Sequence, residues 1–133
     1  MIHNVTSRIA IYLLAAALII FGIYHFVQPQ NMLVYVPSFI PGGIIWVYVV
    51  GAAFILAAVA FVTHKQAKLA GYLLALLLFI FVLTIHLPNY FNSGDKDMQQ
   101  MALVSVLKDT ALAAFALYIA SHAKPGSDEL TQD

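Results

Sequence analysis

The chain has 133 residues, 62% of them hydrophobic and only 9% charged, with six acidic and six basic side chains. Soluble domains carry roughly 25% charged residues, so a mean hydropathy of +0.90 makes this an integral membrane protein with length for one domain. Zero net charge gives no footprint for nucleic acid as a partner, and the lack of cysteine excludes disulfides, thiolate-bound metals, iron–sulfur clusters and a cysteine nucleophile.

Residues 8–28 follow a short polar start and are apolar apart from Gly22, the tyrosines and His25. The run ends in Tyr24-His25-Phe26-Val27-Gln28-Pro29, without the small-residue cleavage site of a signal peptide. About 20 apolar residues cross a bilayer, so a retained transmembrane helix is predicted here. Gln28 to Gly43 contains Pro29, Pro37, Pro41 and Gly42-Gly43, which break helices. The segment is uncharged and carries Met32, Leu33, Val34, Tyr35, Val36, Phe39 and Ile40. It reads as an interfacial connection, or, in a sharper version, as a lid folded over the mouth of a cavity.

Residues 44–63 form the second predicted span, with Trp46 and Tyr48 near its start, where amphipathic rings anchor at the interface. A tight basic turn, Thr63 to Lys68, leads into the third span at 67–87. Ala67, Gly71 and Ala75 lie four apart there, so one face admits close approach of another helix, within the bundle or between copies. Pro88 and Asn89 are expected to end this helix. A hydrophilic loop, Asn92 to Asp97, precedes the fourth span at 100–121, and 124–133 reads as a polar, disordered cytoplasmic tail. The predicted fold is all-α: a four-transmembrane-helix bundle forming a single domain over residues 1–123.

Orientation follows from lysine and arginine. Arg8, Lys65, Lys68 and Lys124 fall on one side, whereas the other has only Lys96, flanked by Asp95 and Asp97. Both termini are therefore expected in the cytoplasm, and the expected location is the bacterial inner (plasma) membrane.

Lys108 and Asp109 interrupt the fourth span, about 12 Å below its outer end at 1.5 Å per residue. Charges at such depth cost a few kcal/mol each and usually face a protein interior or a wet cavity. His25 and His86 fall near the outer ends of the first and third spans. Helical side chains lean toward their own N-terminus, so the lysine and aspartate lean outward and the histidines inward. The expectation is a polar pocket in the outer half of the bundle, formed by His25, Tyr48, His86, Lys108 and Asp109. Adjacent residues diverge by about 100° on a helix, so Lys108 and Asp109 are expected to take different partners. Asp109 would pair with His25 or His86, Ser105 would share its face, and Lys108 is free to snorkel toward headgroups. The same set also suits a buried polar clamp that fixes helix register. Two histidines at similar depth raise axial haem ligation, which the absence of an attachment motif disfavours. No metal cluster is expected, and no hydrolase triad, phosphate loop or carboxylate pair marks an independent catalytic site.

The stretches Phe21-Gly22-Ile23-Tyr24-His25-Phe26, Val36-Pro37-Ser38-Phe39-Ile40-Pro41, Tyr48-Val49-Val50-Gly51 and Leu107-Lys108-Asp109-Thr110-Ala111-Leu112 together resemble the DoxX family of small four-helix membrane proteins. The resemblance runs over residues 8–121. One position departs: many relatives carry a glutamate soon after the glycine of the second helix, where this chain has Ala52-Ala53-Phe54-Ile55. The family takes its name from a subunit of a thiosulfate:quinone oxidoreductase. Without a cysteine or that glutamate, the reaction itself is not carried over. The resemblance implies a redox-associated accessory protein that binds a quinone or another amphiphile. Two alternatives stand beside it: a structural or assembly subunit of a membrane complex, and a small oligomeric transporter. The lipid bilayer is the expected partner, with a membrane protein or a second copy as further candidates.

Overall fold

The computed structural model describes residues 5–36 and 38–123. His3, Pro37, Lys124 and the predicted tail at 124–133 lie outside the described residues. The architecture is helical throughout: α1 Val5–Val27, α2 Pro29–Leu33, α3 Ile44–Thr63, α4 Ala67–Phe81, α5 Leu87–Asn92 and α6 Lys96–Ser121. A single π turn, Val82–His86, joins α4 to α5. Four stretches are long and apolar enough to cross a membrane by length and composition: Val5–Val27, Ile44–Thr63, Ala67–Asn92 and Lys96–Ser121. Large apolar side chains such as Leu13, Ile20, Leu56, Leu73, Leu83 and Leu107 are exposed on their outward faces, as a lipid-facing bundle requires.

The spans alternate in direction and pack as two close antiparallel pairs, α1 with α3 and α4 with α6. Glycine makes each pair close. At Gly22 an added Cβ would sit 2.8 Å from the carbonyl of Gly51, and at Gly51 it would sit 2.8 Å from Cβ of His25. At Gly71 it would sit 2.6 Å from the carbonyl of Ala116 and 2.9 Å from Cβ of Ala120. Small residues let backbones approach where no hydrophobic force distinguishes helix from lipid. The Ala67/Gly71/Ala75 face is thus used inside the bundle, with all three residues buried. Among the described residues, the backbones of α1 and α6 stay apart. Larger side chains, Ile11, Leu14, Leu18, Phe61 and Ile119 among them, fill the space between the pairs.

The ends of the bundle differ. At the proximal end lie the start of α1, the 64–66 turn and the end of α6. The turn is tight because His64 and Gln66 both adopt the left-handed conformation, with φ of 60° and 56°. Lys68 donates to the carbonyls of Ala120 and Ala123 at 3.2 and 3.4 Å, placing a cation at the C-terminal end of α6. At the distal end, α6 begins at Lys96, a turn earlier than the sequence suggests. Asp95 caps it by accepting from the amide of Asp97 at 3.1 Å.

The third span corrects the expectation that Pro88 stops it. Proline has no N–H and its ring crowds the carbonyl four residues back, here that of Thr84. The chain continues by widening: the amide of Leu87 donates to the carbonyl of Val82, five residues back. Pro88 then sits in the first turn of α5, where its missing N–H is harmless. The helical path runs on to Asn92.

Candidate functional site

At the distal end the two pairs part around a cavity of about 510 Å³, within the range of small-molecule pockets. All four spans contribute walls: Leu18, Phe21, Tyr24 and His25 from α1, and Trp46, Val47, Val50 and Phe54 from α3. The third span adds Leu77 to His86 in part, and α6 adds Ser105, Lys108, Asp109 and Leu112. The proline-rich connection lines the mouth of the cavity with Met32, Tyr35, Val36 and Ile40. Its geometry is pinned by Trp46, whose indole N–H donates to the carbonyl of Pro41 at 2.6 Å. Gly42 and Gly43 supply the positive φ values, 103° and 47°, that return the chain to α3.

Four of the five predicted site residues, His25, His86, Lys108 and Asp109, line the cavity. Asp109 is 5% exposed, and among the described residues it is the buried charged side chain of the molecule. His86 donates from Nε2 to its Oδ2 at 3.1 Å. His86 is the last residue of the π turn. One extra residue in the turn shifts the register of His86 relative to a regular α-helix. Tyr35 of the proline-rich connection meets the His86 ring edge-on at 6.5 Å.

His25 goes elsewhere. Its Nδ1 lies 2.6 Å from the carbonyl of Phe21, which can only accept, so Nδ1–H is the donor. The ring stands edge-on to Phe54 at 5.5 Å. His25 therefore borders the cavity from the α1 side without touching the aspartate.

Lys108 has its own neighbour, the Phe21 ring, and in addition a contact with Asp109 that the expectation of separate partners did not include. Its Nζ is 3.7 Å from Oδ1 of Asp109 and 5.1 Å from the centre of the Phe21 ring. A four-carbon stem is long enough to bridge the angular gap between neighbours on a helix. The pairing is loose, and 48% of the lysine side chain remains accessible. By its sequence context Phe21 is one more packing aromatic; in the fold it forms a cation–π seat and also meets Phe54 at 6.3 Å.

Tyr48 does not reach the cavity wall. It stacks on Phe26 at 5.6 Å and is exposed. Trp46 faces the cavity instead, because two residues turn a helix by about 200°. Sequence reasoning misses Tyr35 and the π turn as parts of the site. The signal for the turn is Pro88 inside an otherwise helical apolar run, four residues after Thr84.

Chemically, the arrangement offers an apolar aromatic chamber with polar groups on one flank. The ammonium of Lys108 donates. With Nε2–H of His86 and Nδ1–H of His25 committed, the other ring nitrogens, Nδ1 of His86 and Nε2 of His25, are acceptors when the rings are neutral. No group of three or more histidine, aspartate or glutamate residues able to hold a metal ion occurs among the described residues.

A family model described as a domain of unknown function (DUF8561) matches residues 14–120. No curated protein and no solved structure matches the chain. The matched stretch contains every cavity-lining residue.

Proposed function

The chain belongs to the DUF8561 family, and we propose that it is a membrane-embedded binding protein that holds a quinone-like amphiphile in the distal cavity. The observation that carries this reading is the cavity itself: about 510 Å³ of apolar and aromatic wall with Lys108 on one flank. A pocket that is mostly apolar with a few convergent polar groups suits a ligand with a greasy ring or tail and a polar head. Asp109 has His86 at 3.1 Å, which leaves the accessible Lys108 ammonium to face a carbonyl or anionic oxygen of the ligand.

The placement of cations supports an orientation. Lys65 and Lys68 lie at the proximal end with the start of α1, whereas Lys96 at the distal end is flanked by Asp95 and Asp97. In our reading both termini are cytoplasmic, the cavity belongs to the outer half of the bundle, and the membrane is the bacterial inner membrane. The resemblance to DoxX proteins adds a redox-associated accessory role. Because α6 occupies the small-residue face of α4, that face gives no support to an oligomeric transporter.

The test is lipid extraction of the purified protein from several detergents, followed by mass spectrometry. The expected result is an amphiphile enriched over bulk lipid in the wild type and reduced several-fold in Lys108→Met. Absence of any enriched small molecule in all detergents overturns the reading.

A further inference from the structure

We propose that the His86–Asp109 pair accepts a proton from the ligand, so that the cavity selects amphiphiles carrying an ionisable hydroxyl, phenolic or enolic, and holds them as oxyanions against Lys108. The inference rests on the amphiphile-binding reading above and specifies the ligand's head.

The argument begins with hydrogen-bond direction. A carboxylate only accepts, so Asp109 fixes the proton of neutral His86 on Nε2. That leaves Nδ1 with a lone pair, and no hydrogen bond to Nδ1 occurs among the described residues. His86 lines the cavity, and its ring is 16% exposed. A neutral histidine whose Nε2–H is held by a carboxylate presents Nδ1 as its proton-accepting nitrogen. Asp109 acts through His86 and is a positioning residue.

The cation is placed for the product. When the ligand O–H bond breaks, its proton forms an N–H bond at Nδ1 of His86, and the electron pair stays on the ligand oxygen. Lys108 lies 3.7 Å from Oδ1 of Asp109 on the same flank, so its ammonium is available to the new anion. Charge balances: Lys108 and imidazolium answer Asp109 and the oxyanion. No electron is transferred and no co-reactant is needed. The other titratable groups bordering the cavity are His25 and Tyr24 from α1 and Tyr35 from the proline-rich connection. His25 has its Nδ1–H on Phe21, and the two tyrosines are phenols. None brings a competing carboxylate.

The chain's single tryptophan makes the test direct. Trp46 lines the cavity, so an alkylated nitrophenol reports occupancy by quenching its fluorescence and ionisation by the visible band of its phenolate. The expected result is saturable quenching together with a titration midpoint at least one pH unit below that of the same probe in empty micelles of the same detergent. That is a tenfold gain in the ratio of ionised to neutral probe. Asp109→Asn and Lys108→Met each return the midpoint of the probe still bound toward the micelle value, a readout that a purely structural role would not move. Saturable quenching with an unshifted midpoint in the wild type overturns this inference and leaves the binding reading standing. No saturable quenching, with nothing enriched on extraction, overturns both.

Discussion

A carboxylate stranded in an apolar helix is among the costliest side chains to bury, and Asp109 is tolerable only because its neighbours answer it. His86 supplies a hydrogen bond at 3.1 Å and Lys108 a looser charge at 3.7 Å. The two contributions differ in kind. Replacing Asp109 with alanine leaves the Nε2–H of the half-buried His86 without its acceptor, and the expected cost is about 1–3 kcal/mol. A double-mutant cycle of Asp109→Ala with His86→Phe, followed by unfolding in detergent, should give a coupling of about 0.5–3 kcal/mol; additive effects would mean that the pair does not form. Lys108 is half exposed, so Lys108→Met should change stability by less than about 1 kcal/mol while affecting ligand retention. At this scale much was legible. Charges inside a hydrophobic run identify themselves, and both histidines stood out for the same reason. Which histidine served Asp109 was not legible, nor that Lys108 would turn back onto Phe21, because both depend on neighbours from other helices.

Among the elements, the third span shows how a local rule gives a true cause and a wrong boundary. Pro88 does break the α pattern, but the break is absorbed by the π turn from Val82 to His86, and the helix continues to Asn92. Lipid and neighbouring helices favour continuing over unwinding, since an unsatisfied backbone in a membrane has no water to turn to. The small-residue faces belong to this scale too. Gly71→Ala places a methyl group 2.6 Å from the carbonyl of Ala116, so α4 and α6 must move apart. The expected loss is about 1–3 kcal/mol. Gly94→Ala is the control, because nothing lies within 4 Å of its added Cβ, and it should stay within about 0.5 kcal/mol of wild type. Equal melting of the two variants would refute the close crossing.

For the whole molecule, orientation is open to a clean experiment because the chain has no cysteine. Ser93→Cys in the distal loop should react with a membrane-impermeant maleimide on intact cells, and Lys65→Cys in the proximal turn only after the cells are opened. The reverse pattern would place the cavity on the cytoplasmic side. Length and composition by themselves determined four spans, their order and the helical class, because the cost of leaving apolar side chains in water and backbone groups unpaired in lipid is a sum over local sequence. They also located the polar set. Only the tertiary structure decided that Trp46 and not Tyr48 borders the cavity, that His86 and not His25 holds Asp109, and that the proline-rich connection lines the mouth of a cavity of about 510 Å³. Those outcomes depend on the rotation and register of one helix against another. Nothing summed along the chain records them.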